Sequence, residues 1–170
     1  MKVGLIGVGL MNGSLALDLK SAHPSVAIYG VSRRVTTLAN AKQLGLIDYQ
    51  ATINDMRDMD FVSIAIPVTA TVDILPSLLD SVGSNTLVID MGSTKTAICE
   101  SVSKHPNREQ FLACHPIAGT EFSGPEAAIH NLYHGKVNML CETQKTRPDL
   151  LKRAHACLLY TSDAADDSGC

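Results

Sequence analysis

The sequence predicts an α/β fold with a doubly wound, mostly parallel sheet, and three observations carry that prediction. Short, almost continuous apolar runs alternate with segments of helical period, the pattern of strands buried on both faces beneath helices. The first run, Lys2–Ile6, passes without a break into Gly7-Val8-Gly9-Leu10-Met11, a glycine-rich turn that opens a helix. The composition is 45% hydrophobic yet only 4% aromatic, with no Trp, so the core must be built mainly from aliphatic side chains. Such residues suit a parallel sheet flanked by helices.

Taken in order, Lys2–Ile6 is a short apolar strand and Leu10 to Ala22 a helix, with Leu15, Leu17 and Leu19 among its apolar residues. His23-Pro24 ends that helix. Val26–Val31 is the second strand, followed by a helix from Val35 to Leu44 that Gly45 stops. Phe61–Ile66 has the unbroken apolar character of a central strand, and Pro67, which has no N–H to offer a ladder, turns the chain. Thr69 to Val82 is helical, with Pro76 expected to kink it or to start a second helix. Leu87–Asp90 is a further buried strand, Thr94 to Ser103 a helix, Phe111–Cys114 a short strand and Val137–Cys141 a later one. A last helix begins at Arg147-Pro148, with the proline in its first turn.

A length of 170 residues fits one domain, placed at residues 1–156, with room for at most a stub of another. The formal net charge of −3 is carried entirely by residues 157–170, which hold Asp163, Asp166 and Asp167 and no Lys or Arg. The balanced charge of the remaining body argues against a nucleic-acid groove or a basic membrane face. The five cysteines, Cys99, Cys114, Cys141, Cys157 and Cys170, are scattered and form no CxxC. That spacing fits neither a disulfide framework nor a metal site, and a reducing cytoplasm is the expected setting. No apolar run approaches the roughly 20 residues that a membrane span needs. Met1-Lys2-Val3 enters a strand directly, so no leader peptide is expected.

A glycine turn between a strand and a helix is where a dinucleotide pyrophosphate sits. The backbone N–H groups of Gly7, Val8, Gly9, Leu10 and Met11 would face the phosphates, and the helix N-terminus adds partial positive charge. Gly7 permits the tight turn and Gly9 leaves room for the pyrophosphate. The third glycine of the pattern falls at Asn12, with Gly13 next. Because that position serves close packing of helix on strand, Asn12 is expected either to shift the helix or to point its amide outward. At the end of the second strand, Val31-Ser32-Arg33-Arg34 lacks the carboxylate that would hold the ribose 2′-hydroxyl of NAD. Ser32 and the planar guanidinium of Arg33 suit a 2′-phosphate, so NADP is preferred, with NAD possible. The plainer alternative leaves Arg33 and Arg34 solvated at a helix start.

Ser93 lies in a loop at a strand's carboxyl end, where an open α/β sheet places its ligands, or else it caps the helix that follows. His115 follows a buried strand and precedes Pro116, which is expected to force a turn and bring the imidazole out at the sheet's edge. Histidine is the side chain suited to taking a hydroxyl proton near neutral pH. Glu126, His130 and His134 recur at i, i+4 and i+8, which on one helical face would resemble a metal stripe. Gly135 ends that helix at once and no further ligand motif appears, so helix-surface residues and no metal are expected.

Several of these blocks recur at family spacing: the glycine turn, Ile66-Pro67-Val68, Asp90-Met91-Gly92-Ser93-Thr94-Lys95, and His115-Pro116-Ile117-Ala118-Gly119-Thr120-Glu121-Phe122-Ser123-Gly124. Over residues 1–155 the chain resembles the nucleotide-binding half of the prephenate/arogenate dehydrogenase family. The resemblance implies a Rossmann-type domain and NAD(P)-dependent oxidative decarboxylation of prephenate or arogenate in tyrosine biosynthesis. It also implies a homodimer for the full-length form. Ile66 and Pro67 would line the cofactor site, His115 would be the catalytic base, and Ser93 would lie among nicotinamide, His115 and substrate. Thr120 and Glu121 match positions at the pocket mouth, Glu121 either holding His115, gating the site or standing in solvent. Lys95 matches a family position, although a surface lysine in a helix's first turn is the plainer reading.

The family's helical dimerisation domain is absent from the chain, which implies a truncated form that binds cofactor but turns over substrate poorly. Residues 157–170 lack a helical stripe, depart from the family and resemble translated sequencing-adapter sequence. They are expected to be a non-native or disordered tail, the alternative being a natural acidic one. Two rival readings share the glycine turn: another small-substrate dehydrogenase of the same fold, and a dinucleotide-binding module without chemistry. The first does not call for the paired Gly-Ser-x-Lys and His-Pro blocks, and the second needs no base beside a nicotinamide.

Overall fold

The computed structural model describes residues 1–159, with side chains through Cys157. Seven strands form one sheet in the order β3-β2-β1-β4-β5-β6-β7. They are β1 Lys2–Ile6, β2 Ala27–Val31, β3 Tyr49–Gln50, β4 Phe61–Ile64, β5 Leu87–Asp90, β6 Phe111–Pro116 and β7 Asn138–Cys141. All neighbours pair parallel except β6 and β7, which are antiparallel. The helices are α1 Leu10–Ala22, α2 Val35–Gln43, α3 Val68–Ser81, α4 Thr96–Ser101 and α5 Pro148–Leu159. This is the doubly wound, mostly parallel sheet that the apolar runs predict, a Rossmann-type architecture.

Side chains alternate along each strand and feed two cores. Leu5, Ile28, Leu112 and Cys114 pack beneath α1, α2 and α5, against Leu15, Leu19, Leu38 and Leu150. Ile6, Val62, Ile64, Phe111 and Ala113 pack on the other face against Leu75, Leu78, Leu79 and Ile98 of α3 and α4. The strand order reverses between β1 and β4, so the carboxyl ends of these two strands flank the crevice where sheets of this kind bind ligands.

Three local expectations are corrected. Helix α3 runs through Pro76 without a second helix starting there. Leu75, Leu78 and Leu79 are wholly buried on either side of the proline, and their packing on the sheet holds both halves in one helix. Helix α4 is shorter than expected, beginning at Thr96 with Lys95 as its cap. Helix α5 spans Pro148–Leu159. The rest of the expected tail lies outside the described residues.

The third correction concerns Glu126 to His134, which form no α-helix. A single 3-10 turn, Pro125–Ala127, gives way to irregular chain in which Asn131 is left-handed, with φ 59°. This segment is a strap across α1. The Ile129 N–H donates to Ser14 Oγ at 3.0 Å, the Asn131 N–H to Asp18 Oδ1 at 2.9 Å, and the Tyr133 hydroxyl to the Met11 carbonyl at 2.7 Å. Gly13 makes room for it, since a Cβ there would lie 2.7 Å from the Ala128 Cβ. Helix α1 is therefore covered by the sheet on one side and the strap on the other, which explains why it presents little polar surface. Among the described residues no helix is long and apolar enough to cross a membrane.

Candidate active site

The glycine turn sits at the carboxyl end of β1. Gly7 has φ +83°, and a Cβ there would lie 2.5 Å from the Ala65 carbonyl oxygen, so the protein itself requires glycine. Gly9 differs. A Cβ there would meet only the Gly124 nitrogen, at 3.9 Å, so no protein contact demands its absence. Space over a glycine with no internal reason is what a closely approaching pyrophosphate needs. At the start of α1 the amides of Leu10, Met11 and Asn12 have no acceptor among the described residues, whereas the Gly13 N–H already bonds to Gly9 O at 2.7 Å. Such first-turn donors are the anion-binding end of a helix.

Asn12 does not point its amide outward, one of the two alternatives expected for it. Its amide points inward, wholly buried, and donates to the carbonyls of Ile6, Gly7 and Ser63 at 3.2, 2.9 and 3.1 Å. Its carbonyl oxygen accepts from the Ser63 hydroxyl at 2.7 Å. One side chain thus ties α1 to the ends of β1 and β4, using hydrogen bonds where the glycine pattern uses close packing. Gly13 does supply a close approach, but toward the strap rather than the sheet.

A cleft of about 460 Å³ opens over this turn. It gathers seven of the residues expected at a cofactor site: Gly7, Val8, Gly9, Ser32, Arg33, Ile66 and Pro67. The side chains of Leu10 and Met11 do not line it. Leu10 is buried in the core and Met11 packs partly against it, so only their backbones are available to a ligand. Arg33 and Arg34 are exposed and form no ion pair among the described residues, and Ser32 Oγ accepts from the Arg34 N–H at 3.2 Å. The sequence reading missed Thr37, Ile53, Ile74 and Asp73 on the cleft walls, and Gly124 and Pro125 from the strap. Thr37 lies one helical turn from Arg33 and was legible by spacing. Ile53 and Ile74 carry no local signal.

Ser93 and His115 line a second cavity, of about 530 Å³, at the carboxyl ends of β5 and β6. His115 does not stand between the strand's end and a turn, as expected, but within β6, opposite Met139 of β7. Pro116 extends the strand instead of breaking it. The Cys114 N–H points toward β5, meeting Asp90 Oδ1 at 3.4 Å, and the Ile117 N–H points to β7, meeting Val137 O at 2.8 Å. By alternation Pro116 faces the β5 side, where the ladder has already ended at Asp90 and Ala113, so no bond is lost to its missing N–H. The half-buried His115 imidazole has no hydrogen-bond partner among the described residues.

Ser93 does not cap α4, since Lys95 holds that position and no side-chain cap bond forms. Nor is Lys95 a surface lysine. Its Nζ donates to Asp90 Oδ2 and to the Cys114 carbonyl, both at 2.5 Å, with only 13% of the side chain exposed. Asp90 is fully buried, and burial pushes its carboxyl up from the ordinary range against the pull of Lys95. Two thiols nearby are disfavoured as thiolates. Burial pushes Cys99 up to about 11 and Cys114 well up.

Thr120 and Glu121 stand apart from this cavity on an exposed loop, where Thr120 Oγ1 accepts from the Phe122 N–H at 3.2 Å. Glu121 lines a separate depression with Phe122 and Glu126 and makes no bond to His115. Glu126 accepts from Asn40 Nδ2 at 2.7 Å, and His130 Nδ1 lies 4.0 Å from Asp18. Among the described residues no group of three or more His, Cys, Asp or Glu is arranged to hold a metal ion.

Fold and cleft together define a nucleotide-binding domain of the Rossmann class. The sequence profile of the prephenate dehydrogenase nucleotide-binding domain matches residues 15–162, and the chain belongs to that family. Prephenate dehydrogenase of Lactococcus lactis subsp. cremoris is 32% identical over 160 residues, covering 91% of this chain and 45% of the relative. Prephenate dehydrogenase from A. aeolicus, crystallised with hydroxyphenyl propionate and NAD+, superposes with a TM-score of 0.88 at 31% identity, over 97% of this chain and 59% of that one. Arogenate dehydrogenase of Synechocystis gives a TM-score of 0.87 at 28% identity, with the same coverages of 97% and 59%. The chain thus spans about half the length of its relatives.

Proposed function

We propose that the chain is the cofactor-binding and proton-accepting part of a prephenate or arogenate dehydrogenase, with NADP preferred over NAD. The observation that carries the reading is the convergence of Ser93 and His115 on one cavity at the carboxyl edge of the sheet that holds the glycine turn. The first-turn amides of α1 would hold the diphosphate. Ser32, Arg33 and Thr37 would take a 2′-phosphate, because the end of β2 offers cations and hydroxyls and no carboxylate.

When bound, the nicotinamide supplies the acceptor for the hydride leaving C4 of a cyclohexadienyl substrate. A His115 nitrogen, uncommitted within the protein, takes the C4 hydroxyl proton as that hydride departs. The C4 carbonyl so formed draws the electron pair of the bond to the C1 carboxylate into the ring, which releases CO2 and aromatises. Ser93, at the same cavity, orients the hydroxyl between its own Oγ and the imidazole. The full-length form acts on this small molecule as a cytoplasmic homodimer, with neither nucleic acid nor membrane as partner. In a full-length form, His115→Asn should lower kcat by roughly 10²–10⁴-fold, the usual contribution of a positioned base. Near wild-type turnover would overturn the assignment.

A further inference from the structure

We infer that Asp90 and Lys95 are positioning residues that lock Ser93 and His115 into one rigid unit, an inference that rests on reading those two as the reactive pair. Parallel pairing of β5 with β6 ends at Asp90 and Ala113, and the Gly92 N–H that would continue it turns to Asp90 Oδ2, so the Cys114 carbonyl has no backbone donor on that side. Lys95 Nζ donates to that carbonyl instead, and Asp90 Oδ1 lies 3.4 Å from the Cys114 N–H. Cys114 is the residue immediately before His115.

The same two side chains hold the Ser93 loop. Asp90 Oδ2 accepts from the Gly92 N–H at 2.9 Å on one side of Ser93 and from Lys95 Nζ on the other. No hydrogen bond forms to Ser93 or Thr94 themselves among the described residues. The loop is therefore fixed at its ends, and both ends meet one carboxylate. Gly92 is part of the device, since a Cβ there would lie 3.0 Å from Asp90 Oδ2. With its ammonium already committed, Lys95 is not placed to bind a substrate anion, and its role acts through Ser93 and His115.

The test is histidine-selective ¹H–¹³C NMR on the 170-residue chain, comparing Lys95→Met and Asp90→Asn with Lys95→Arg. In each of the first two variants the His115 imidazole signal should move or double, while the other five histidines keep their positions and the thermal midpoint shows a folded protein. Lys95→Arg, which keeps the cation and its donors, should return His115 toward the parent signal. An unmoved His115 in a folded Lys95→Met protein would overturn the inference. So would unfolding of both variants, which would make the pair a general fold element. Because the readout is geometric, it fails independently of the dehydrogenase reading, which stands or falls on the turnover of His115→Asn.

Discussion

At the scale of single residues, the proposed preference for NADP rests on charge chemistry. Arg33 is exposed at the edge of the cleft and forms no ion pair among the described residues. A charge-assisted contact to a 2′-phosphate contributes roughly 1.5–3 kcal/mol, which is more than tenfold in affinity. NADPH should therefore bind more tightly than NADH in a fluorescence titration, and Arg33→Ala should erase most of the difference. Equal curves for the two cofactors in the parent chain would refute the preference. A second residue, Glu142, tests the edge of the sheet. Hydrogen bonds from Lys145 and Arg108 hold its carboxyl below the ordinary range. A lowered carboxylate stabilises the fold above its unfolded value, near 4.3, and that stability is lost as pH falls through the folded value. Glu142→Gln leaves the buried Arg108 without its anion, so it should cost about 1–2 kcal/mol at pH 7 in denaturant melts. The gap should close as pH falls below about 4. Single residues were also where the sequence was least legible. The inward bonds of Asn12 and Lys95 are not legible, because nothing local reveals that carbonyls at the ends of β1, β4 and β6 lie within reach. Asp90 did carry a signal, since a carboxylate closing an apolar strand needs a partner.

At the scale of elements, the strands were legible because burial on both faces leaves an unbroken apolar run. The segment after His115 was not. Its glutamate and histidines fall at helical spacing, yet its backbone donors are spent on Ser14 and Asp18 of α1. Helix and strap compete for the same N–H groups, and the buried acceptors on α1 win. The strap also carries Gly124 and Pro125 to the cofactor cleft, so its seating matters for binding. Gly13→Val tests this. Its Cβ would lie 2.7 Å from the Ala128 Cβ and 3.2 Å from Leu46, in a contact with no flexible side chain to yield on the strap side. Overpacking of this kind costs typically about 1–3 kcal/mol. For a domain of this size, that is a fall in Tm of roughly 2–4 °C per kcal/mol. NADPH affinity should weaken with it, and a Gly13→Val protein with parent Tm and affinity would show that the strap does not couple to the cleft.

At the scale of the whole molecule, the described residues build the dinucleotide cleft from their own side chains, and the proposed chemistry asks more of the His115 cavity. The sheet, both cores and the cleft are built from residues 1–159, so the 170-residue chain should bind NADPH. A cyclohexadienyl substrate carries two carboxylates, and these need cations. The cations lining the His115 cavity are Lys95 and Lys145, and both are already paired, with Asp90 and Glu142. Around the loop that follows β6, Ile117, Phe122, Ile129 and Val137 remain between 45% and 66% exposed. An apolar surface beside an incomplete site leaves the substrate poorly oriented and promotes association between copies. We therefore expect saturable NADPH binding, tendency to aggregate at high concentration, and turnover of prephenate at least about 10²-fold below that of a longer relative assayed alongside, the scale on which misplaced reactants cost rate. The decisive measurement is steady-state kinetics beside a cofactor titration on one preparation. Cofactor binding with negligible turnover supports the expectation that the His115 cavity needs further cations, and efficient turnover by the 170-residue chain would refute it.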